Sequence, residues 1–249
     1  MPTLISPFHL DEPLTALPVS GRRLDVDVAG EVMPGRLVDL YRGVASAVAD
    51  AVTDGSDGPL VVVSGDCNTS LGTLAGLQRA GVDPAIVWFD GHGDFHTAAT
   101  TTSGYLGGLA LALLVGDDDL GLAAGVGLTP IAEERVVLVD ARDLDPAERV
   151  RLDASAVRRL AVDELVEATL PPGPIYLHLD VDVIDAAACP GLRFPAADGP
   201  SPDAVVAAVE RVLGSGRVVA VGLACTWGPD HLDRPETVDL VQRLRLDRD

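Results

Sequence analysis

The sequence predicts an α/β domain in which a mostly parallel sheet lies between layers of helix. Short β-branched apolar runs alternate with stretches of helical periodicity along the whole chain. The runs are nearly continuous rather than alternating, as expected of parallel strands buried on both faces. No internal repeat and no compositional break divides the 249 residues, so the organisation expected is one domain over 1–249.

In chain order, TLISPF (3–8) reads as a weak first strand, followed by a helix over 35–52, where Leu37, Val38, Leu40, Tyr41, Val44, Ala45 and Val48 recur at helical spacing. A turn is expected over 54–58. LVVVS (60–64) and AIVWF (85–89) are strands, with a helix over 69–80 between them. The apolar stretch 105–116 is too short to span a bilayer as a helix. Residues 117–130 read as a Gly-rich loop, expected to be the most mobile segment. RVVLV (135–139) is a strand, VRRLAV (157–162) a candidate edge strand, and 171–174 a turn. IYLHL (175–179) and RVVAVGL (217–223) are the last strands. The helix between them, over 202–213, starts with Ser201 as N-cap and Pro202 at its first position. A final helix covers 235–246.

Composition narrows the function. There are 38 acidic and 18 basic residues, net −20. Such a chain repels phosphate backbones and anionic membranes, so neither nucleic acid nor membrane is an expected partner, whereas cations and metals are favoured. Every basic residue is Arg. The absence of Lys excludes Schiff-base chemistry and a P-loop lysine. Three widely spaced cysteines (Cys67, Cys189, Cys225) build no disulfide framework and fit a reduced, cytoplasmic protein. The opening MPTLISPFHLDEP lacks the basic and apolar regions of a signal peptide.

The polar residues gather where strands end. Asp66 and Cys67 follow the second strand, Asp90-Gly-His92-Gly-Asp94-Phe-His96 the third, and Asp143 the fourth; Asp180-Val-Asp182 closes the fifth and Thr226-Trp227 follows the last. Open α/β sheets build their sites at the carboxyl ends of strands, so these segments should meet in one crevice. Alternate residues of an extended segment point the same way, so Asp90, His92 and Asp94 can face one point, as can Asp180 and Asp182. Any one such Asp could equally be an N-cap or turn residue. Two alternating acid clusters are harder to explain in that way. Four carboxylates beside an imidazole repel when empty and match two divalent cations. Oxygen ligands with one imidazole suit Mn²⁺, and a dinuclear centre lowers the pKa of a bridging water.

These residues resemble the arginase/agmatinase superfamily (the ureohydrolases). The resemblance is carried by SGDC (64–67), DGHGD (90–94), TTSGYLGG (101–108), ARDLDPAE (141–148) and HLDVDVID (178–185), which occur in the family's order. It implies a three-layer α/β/α fold, a dinuclear manganese site and hydrolysis of a C–N bond in a small guanidino, N-hydroxyguanidino or formimino compound by a metal-bridging hydroxide. It further implies that Asp90 and Asp180 bridge both metals, that Asp94 and the Cys67 position serve the first and His92 and Asp182 the second, and that Asp94 also takes a proton from the water. Homo-oligomerisation is likewise implied.

The departures shape the substrate expectation. Cys67 stands where the family has a ligand His and is either a soft ligand or a buried free cysteine. Gly107 replaces a proton-shuttling His. Trp227 aligns with a substrate-clasping Glu and either holds a planar cation on its ring face or fills space. His96 replaces an Asn that contacts substrate. Substrate contacts are thus expected from His96, Ser103, Asp143 and Trp227. Of the other histidines, His178 is expected near the ligands or in the core, His9 either lines the crevice or lies on the surface, and His231 is solvated. Two rivals stay open: a mononuclear deacetylase-like amidohydrolase, and a catalytically silent, metal-stabilised binding protein.

Overall fold

The computed structural model describes residues 1–26, 28, 33–55 and 58–244. The elements begin with strand β1 (Thr3–Ile5), a two-strand hairpin of β2 (Phe8–His9) and β3 (Glu12–Pro13), and β4 (Arg22–Arg23). Helix α1 (Gly35–Thr53), β5 (Leu60–Ser64), α2 (Thr69–Arg79) and β6 (Ala85–Asp90) follow. Next come α3 (Ala110–Val115), α4 (Leu122–Val126), β7 (Val136–Asp140), α5 (Pro146–Ala154) and β8 (Arg158–Leu160). The chain continues through β9 (Ile175–Asp180), α6 (Pro202–Gly214), β10 (Val218–Ala224) and α7 (Pro235–Arg243). The expected final helix over 235–246 ends earlier, and its positions 245 and 246 lie outside the described residues, as do 56 and 57 of the expected turn.

Eight strands form one sheet in the order β4-β1-β5-β10-β9-β6-β7-β8, and every pairing in it is parallel. Strand residues alternate between two cores. Leu60, Val62, Ile86, Trp88, Val136 and Leu138 pack with Leu37, Leu40 and Val44 of α1 and Leu71 and Leu74 of α2. Val61, Val63, Val87, Phe89, Val137 and Val139 pack with Val205, Val209 and Val212 of α6 and Leu240 and Val241 of α7. The sheet is therefore the middle of three layers, and the unbroken apolar runs are what two buried faces require.

The order places β10 and β9 between β5 and β6, which are consecutive along the sheet-forming chain. The carboxyl ends of these four strands lie level: Ala224 pairs with both Ser64 and Asp180, and Phe89 with Leu179. Such a crossover point is where open α/β sheets leave a crevice. Residues 117–130 depart from the loop reading. They contain α4, whose Leu122, Ala123 and Val126 are buried, and two arginines hold it: Arg42 donates to the Gly125 carbonyl (2.8 Å) and Arg79 to that of Val126 (2.6 Å). Glycines at both ends of this short helix hid its periodicity. No described helix is long and apolar enough to cross a membrane.

Candidate metal centre

At the crossover, β6 ends on Asp90 and β9 on Asp180, and both chains then turn tightly. Asp90 Oδ1 accepts from the His92 amide (2.7 Å), and Asp180 Oδ1 from the Asp182 amide (2.9 Å) and the Thr226 hydroxyl (2.7 Å). The Asp182 carboxylate accepts from the Gly91 amide at 3.0 Å and faces His92 Nδ1 at 3.1 Å. Arg142 pins the exit of β9 by donating to the carbonyls of Asp182, Val183, Ala196 and Ala197, and it pairs with Asp140.

Two sets of ligand atoms result. Those of Cys67, Asp90 and Asp180 lie within 4.8 Å of one another, and so do those of Asp90, His92 and Asp182. Asp90 belongs to both sets, as a bridging carboxylate would. Asp94 stands outside both. It has a backbone φ of +50° and is almost wholly buried, yet its Oδ2 has no hydrogen-bond partner.

The electrostatics show how strongly these buried acids repel one another. Burial, and then the Asp90 and Asp180 charges, hold Asp94 well above the usual carboxylate range. Asp180 is raised in the same way by burial, Asp182 and Asp90. Burial and Asp90 raise Asp182 to about 7 despite His92. Burial also works against ionised Asp90, but hydrogen bonds and charge from His92, helped by the Trp88 indole N–H, outweigh it and hold its carboxyl below the usual range. Burial opposes the charged form of His92, yet Asp182 and Asp90 lift it to about 12. The Cys67 thiol is raised by burial and by Asp180, Asp94 and Asp90, and it donates to Asp180 Oδ2 at 2.9 Å. Protons thus offset the clustered negative charge. An unpartnered Asp94 oxygen, a shared Asp90 and mutually repelling carboxylates fit two divalent cations held by oxygen, imidazole and one sulfur.

A cavity of about 270 Å³ opens onto this cluster, lined by Cys67, His92, Asp94, Asp180 and Asp182 at its base. His96, Ser103 and Asp143 also line it. His96 Nε2 faces the Asp145 carboxylate at 3.3 Å. Trp227 is elsewhere: it is 2% exposed, packs in the α6/α7 core and bridges to Leu192, while its neighbour Thr226 lines the cavity. The space-filling alternative for Trp227 is the one its position fits, because successive residues of the extended exit from β10 point to opposite sides.

His178 is buried and stacks on Trp88 with ring centroids 3.5 Å apart; burial lowers it to about 3, so it is neutral. His9 is buried and donates from Nδ1 to the Gly65 carbonyl (2.7 Å). Cys189 and Cys225 are buried packing residues. Asp66 caps α2 through the Thr69 amide (3.0 Å) and holds the Leu10 amide (2.8 Å).

Sequence reasoning missed several lining residues, among them Glu148, Tyr105 and Phe194. Glu148 is buried, accepts from the Phe95 amide at 2.9 Å and sits where a Cβ on Gly93 would stand, 2.6 Å from its Cδ. Its signal was the second Gly of DGHGD, which only a close neighbour demands. Tyr105 and Phe194 form an aromatic wall with ring centroids 4.5 Å apart.

The profile of the Arginase family matches residues 11–237 of this chain. The chain belongs to the arginase family. Among curated relatives of this arginase-family chain, the N(omega)-hydroxy-L-arginine amidinohydrolase of Streptomyces lavendulae is 35% identical over 196 residues, covering 76% of this chain and 69% of the relative. The arginase of Bacillus subtilis strain 168 is 32% identical over 152 residues, covering 56% of this chain and only 51% of that protein. The chain superimposes on a crystal structure of arginase from Bacillus subtilis with a TM-score of 0.80 and 24% identity, covering 99% of this chain and 98% of that one. The three-layer fold with its parallel sheet is thereby the arginase fold.

Proposed function

We propose that this protein is a metal-dependent amidinohydrolase that cleaves a C–N bond of a small guanidino compound, with an N-hydroxyguanidino head as the leading substrate class. One observation carries the reading: Asp90 is shared by two ligand sets beside the orphaned, buried Asp94 oxygen at the base of a small cavity. The likeness to the Streptomyces lavendulae enzyme supports the N-hydroxyguanidino head.

In this reading Cys67, Asp90, Asp94 and Asp180 hold one cation and Asp90, His92, Asp180 and Asp182 the other, with Mn²⁺ the proposed ion. A bound pair would supply Lewis acidity and a water acidified enough to attack carbon. The protein supplies the rest. Asp94, free of hydrogen bonds at Oδ2, takes a proton at that atom and returns it to the leaving nitrogen. Buried His178 stays neutral behind Trp88 and leaves the indole N–H to hold Asp90. Asp143, Asp145 and Glu148 give the cavity an anionic wall that suits a cationic head. A cytoplasmic homo-oligomer completes the proposal. At net −20 its contacts must be apolar or Arg-rich, and light scattering should give a multiple of the chain mass at all accessible salt concentrations.

The test is turnover by Mn²⁺-loaded protein of L-arginine, N-hydroxy-L-arginine and a panel of guanidino and formimino compounds. Release of urea, hydroxyurea or ammonia from at least one is expected. Protein with two bound ions per chain that turns over none of them would overturn the reading.

A further inference from the structure

The wall opposite the acidic residues contains a buried polar chain that the proposed chemistry leaves unused. Gly107 lines the cavity, and a Cβ built there would stand 2.2 Å from Cε1, 2.4 Å from Cζ and 2.6 Å from Oη of Tyr105. The phenol therefore lies flat on the glycine, and any side chain at 107 would displace it. From there Tyr105 Oη reaches His9 Nε2 at 3.3 Å, and His9 Nδ1 reaches the Gly65 carbonyl at 2.7 Å. The His9 and Tyr105 rings are stacked, 13° from parallel, and Phe194 backs the phenol.

The direction of this chain follows from its end. A carbonyl can only accept, so His9 Nδ1 carries the proton. The tautomer with its proton on Nδ1 alone leaves Nε2 as an acceptor. Burial pushes the phenol up, so it keeps its proton. That proton has one described partner, His9 Nε2. The free lone pairs of Oη are then what the wall offers the cavity.

We propose that Tyr105 is a specificity-determining residue: its oxygen, held as an acceptor by His9, takes a hydrogen bond from an N–H or N–OH of the substrate head and turns away a carbonyl. This rests on the guanidino reading above and sharpens it. A guanidinium edge presents only donors to this wall, and the hydroxyl of an N-hydroxyguanidinium can donate to it as well. A ureido head of the same shape can place its carbonyl there, oxygen against oxygen. The wall thus discriminates against ureido compounds, including the urea-type product.

The test is equilibrium binding of n-butylguanidine and n-butylurea to the Mn²⁺-loaded protein by calorimetry, which needs no turnover. Tyr105→Phe should weaken the guanidine by roughly 10-fold or more, the ordinary size of a hydrogen bond to a charged partner, and should not weaken the urea. His9→Asn keeps a donor for the Gly65 carbonyl and removes the Nε2 acceptor. It frees the phenolic proton to point into the cavity, so guanidine binding should fall and urea binding should rise. Opposite movement of the two probes is an outcome that mere loss of packing does not produce. An unchanged guanidine-to-urea ratio in both variants would overturn the proposal. Should either variant fold poorly, the wild-type tyrosine absorption decides. n-Butylguanidine should shift it in the sense of a phenol accepting a hydrogen bond, and no shift would overturn the proposal. If the wild type shows the expected selectivity and Tyr105 dependence but no turnover, the activity reading fails while the binding role stands. Turnover with no Tyr105 dependence gives the reverse.

Discussion

The Cys67 thiol and Asp180 Oδ2 face each other at 2.9 Å across the strand that separates β5 from β9. They share this space because sulfur holds a proton, which burial and three carboxylates fix in place. A divalent ion there must displace that proton and leave a thiolate.

It follows that substitutions at position 67 should act on metal content before rate. Cys67→His offers an imidazole with no thiol proton to remove, so Mn²⁺ at the first site should bind more tightly and with weaker pH dependence. Cys67→Ala should weaken that site by at least the ~10–100-fold typical of disturbing even an outer ligand partner. It should spare the site of His92 and Asp182. Metal titration followed by elemental analysis reads both. Metal content and rate untouched by Cys67→Ser would remove sulfur from the ligand set and leave Cys67 a packed residue.

Asp94→Asn separates coordination from proton transfer. An amide can still present an oxygen to a cation but cannot take a proton. Turnover should fall on the order of 10²–10⁴-fold, with the thermal midpoint held or raised, because a repelled carboxylate is gone. A near wild-type rate on a substrate of this enzyme would show that the proton goes elsewhere.

The sheet was legible because its strands are apolar on both faces. LVVVS, AIVWF and RVVLV announce themselves without tertiary information, and so do the acids that end them. Periodicity failed at α4, which is five residues long between αL glycines and owes its place to packing on α1. The acid clusters could be placed from order along the chain alone, since strand ends converge. The cavity wall could not. Whether Trp227 or Thr226 faces inward depends on a single residue of register at the exit of β10. Tyr105 lies against a glycine two residues away, a relation visible only in three dimensions.

Trp227 should accordingly behave as a core residue. Trp227→Ala is expected to cost about 3–5 kcal/mol of stability, as large core truncations do. Trp227→Phe should cost less and leave KM within about twofold of wild type, because the side chain does not line the cavity. Denaturant unfolding and steady-state kinetics measure the two. A KM increase of tenfold for Trp227→Phe at unchanged stability would return this ring to the substrate.

The metal-free protein should lose stability as pH rises from 6.5 to 8.5, and metal should abolish that loss. Asp94 and Asp180 lie well above their usual range, Asp182 near 7 and His92 near 12. Between its unfolded and its folded value, each therefore binds a proton in the folded state that the unfolded chain has released. For the three acids the penalty is absent below about pH 4, the unfolded value, and grows as pH climbs through the folded value. For His92 the stabilisation is complete below about 6.5 and is lost as pH rises toward its folded value. All four slopes have the same sign. Asp90, lowered, is ionised in both states across this range and adds no slope. His178, lowered to about 3, acts in the opposite sense but only below about 6.5, which sets the lower limit of the window. Each proton difference is worth about 1.4 kcal/mol per pH unit, or roughly 3–5 °C of midpoint for a chain of this size. Net charge contributes a general repulsion of the same sign, so a local control is needed. Asp180→Asn should flatten the slope and raise the metal-free midpoint at pH 8.5, whereas Asp119→Asn, an equal change of net charge at an exposed site, should do neither. Added Mn²⁺ should take over from the protons, releasing them on binding and widening the gap between loaded and metal-free midpoints as pH rises. A metal-free midpoint that is flat or rising between pH 6.5 and 8.5 would mean that these side chains do not share one buried centre.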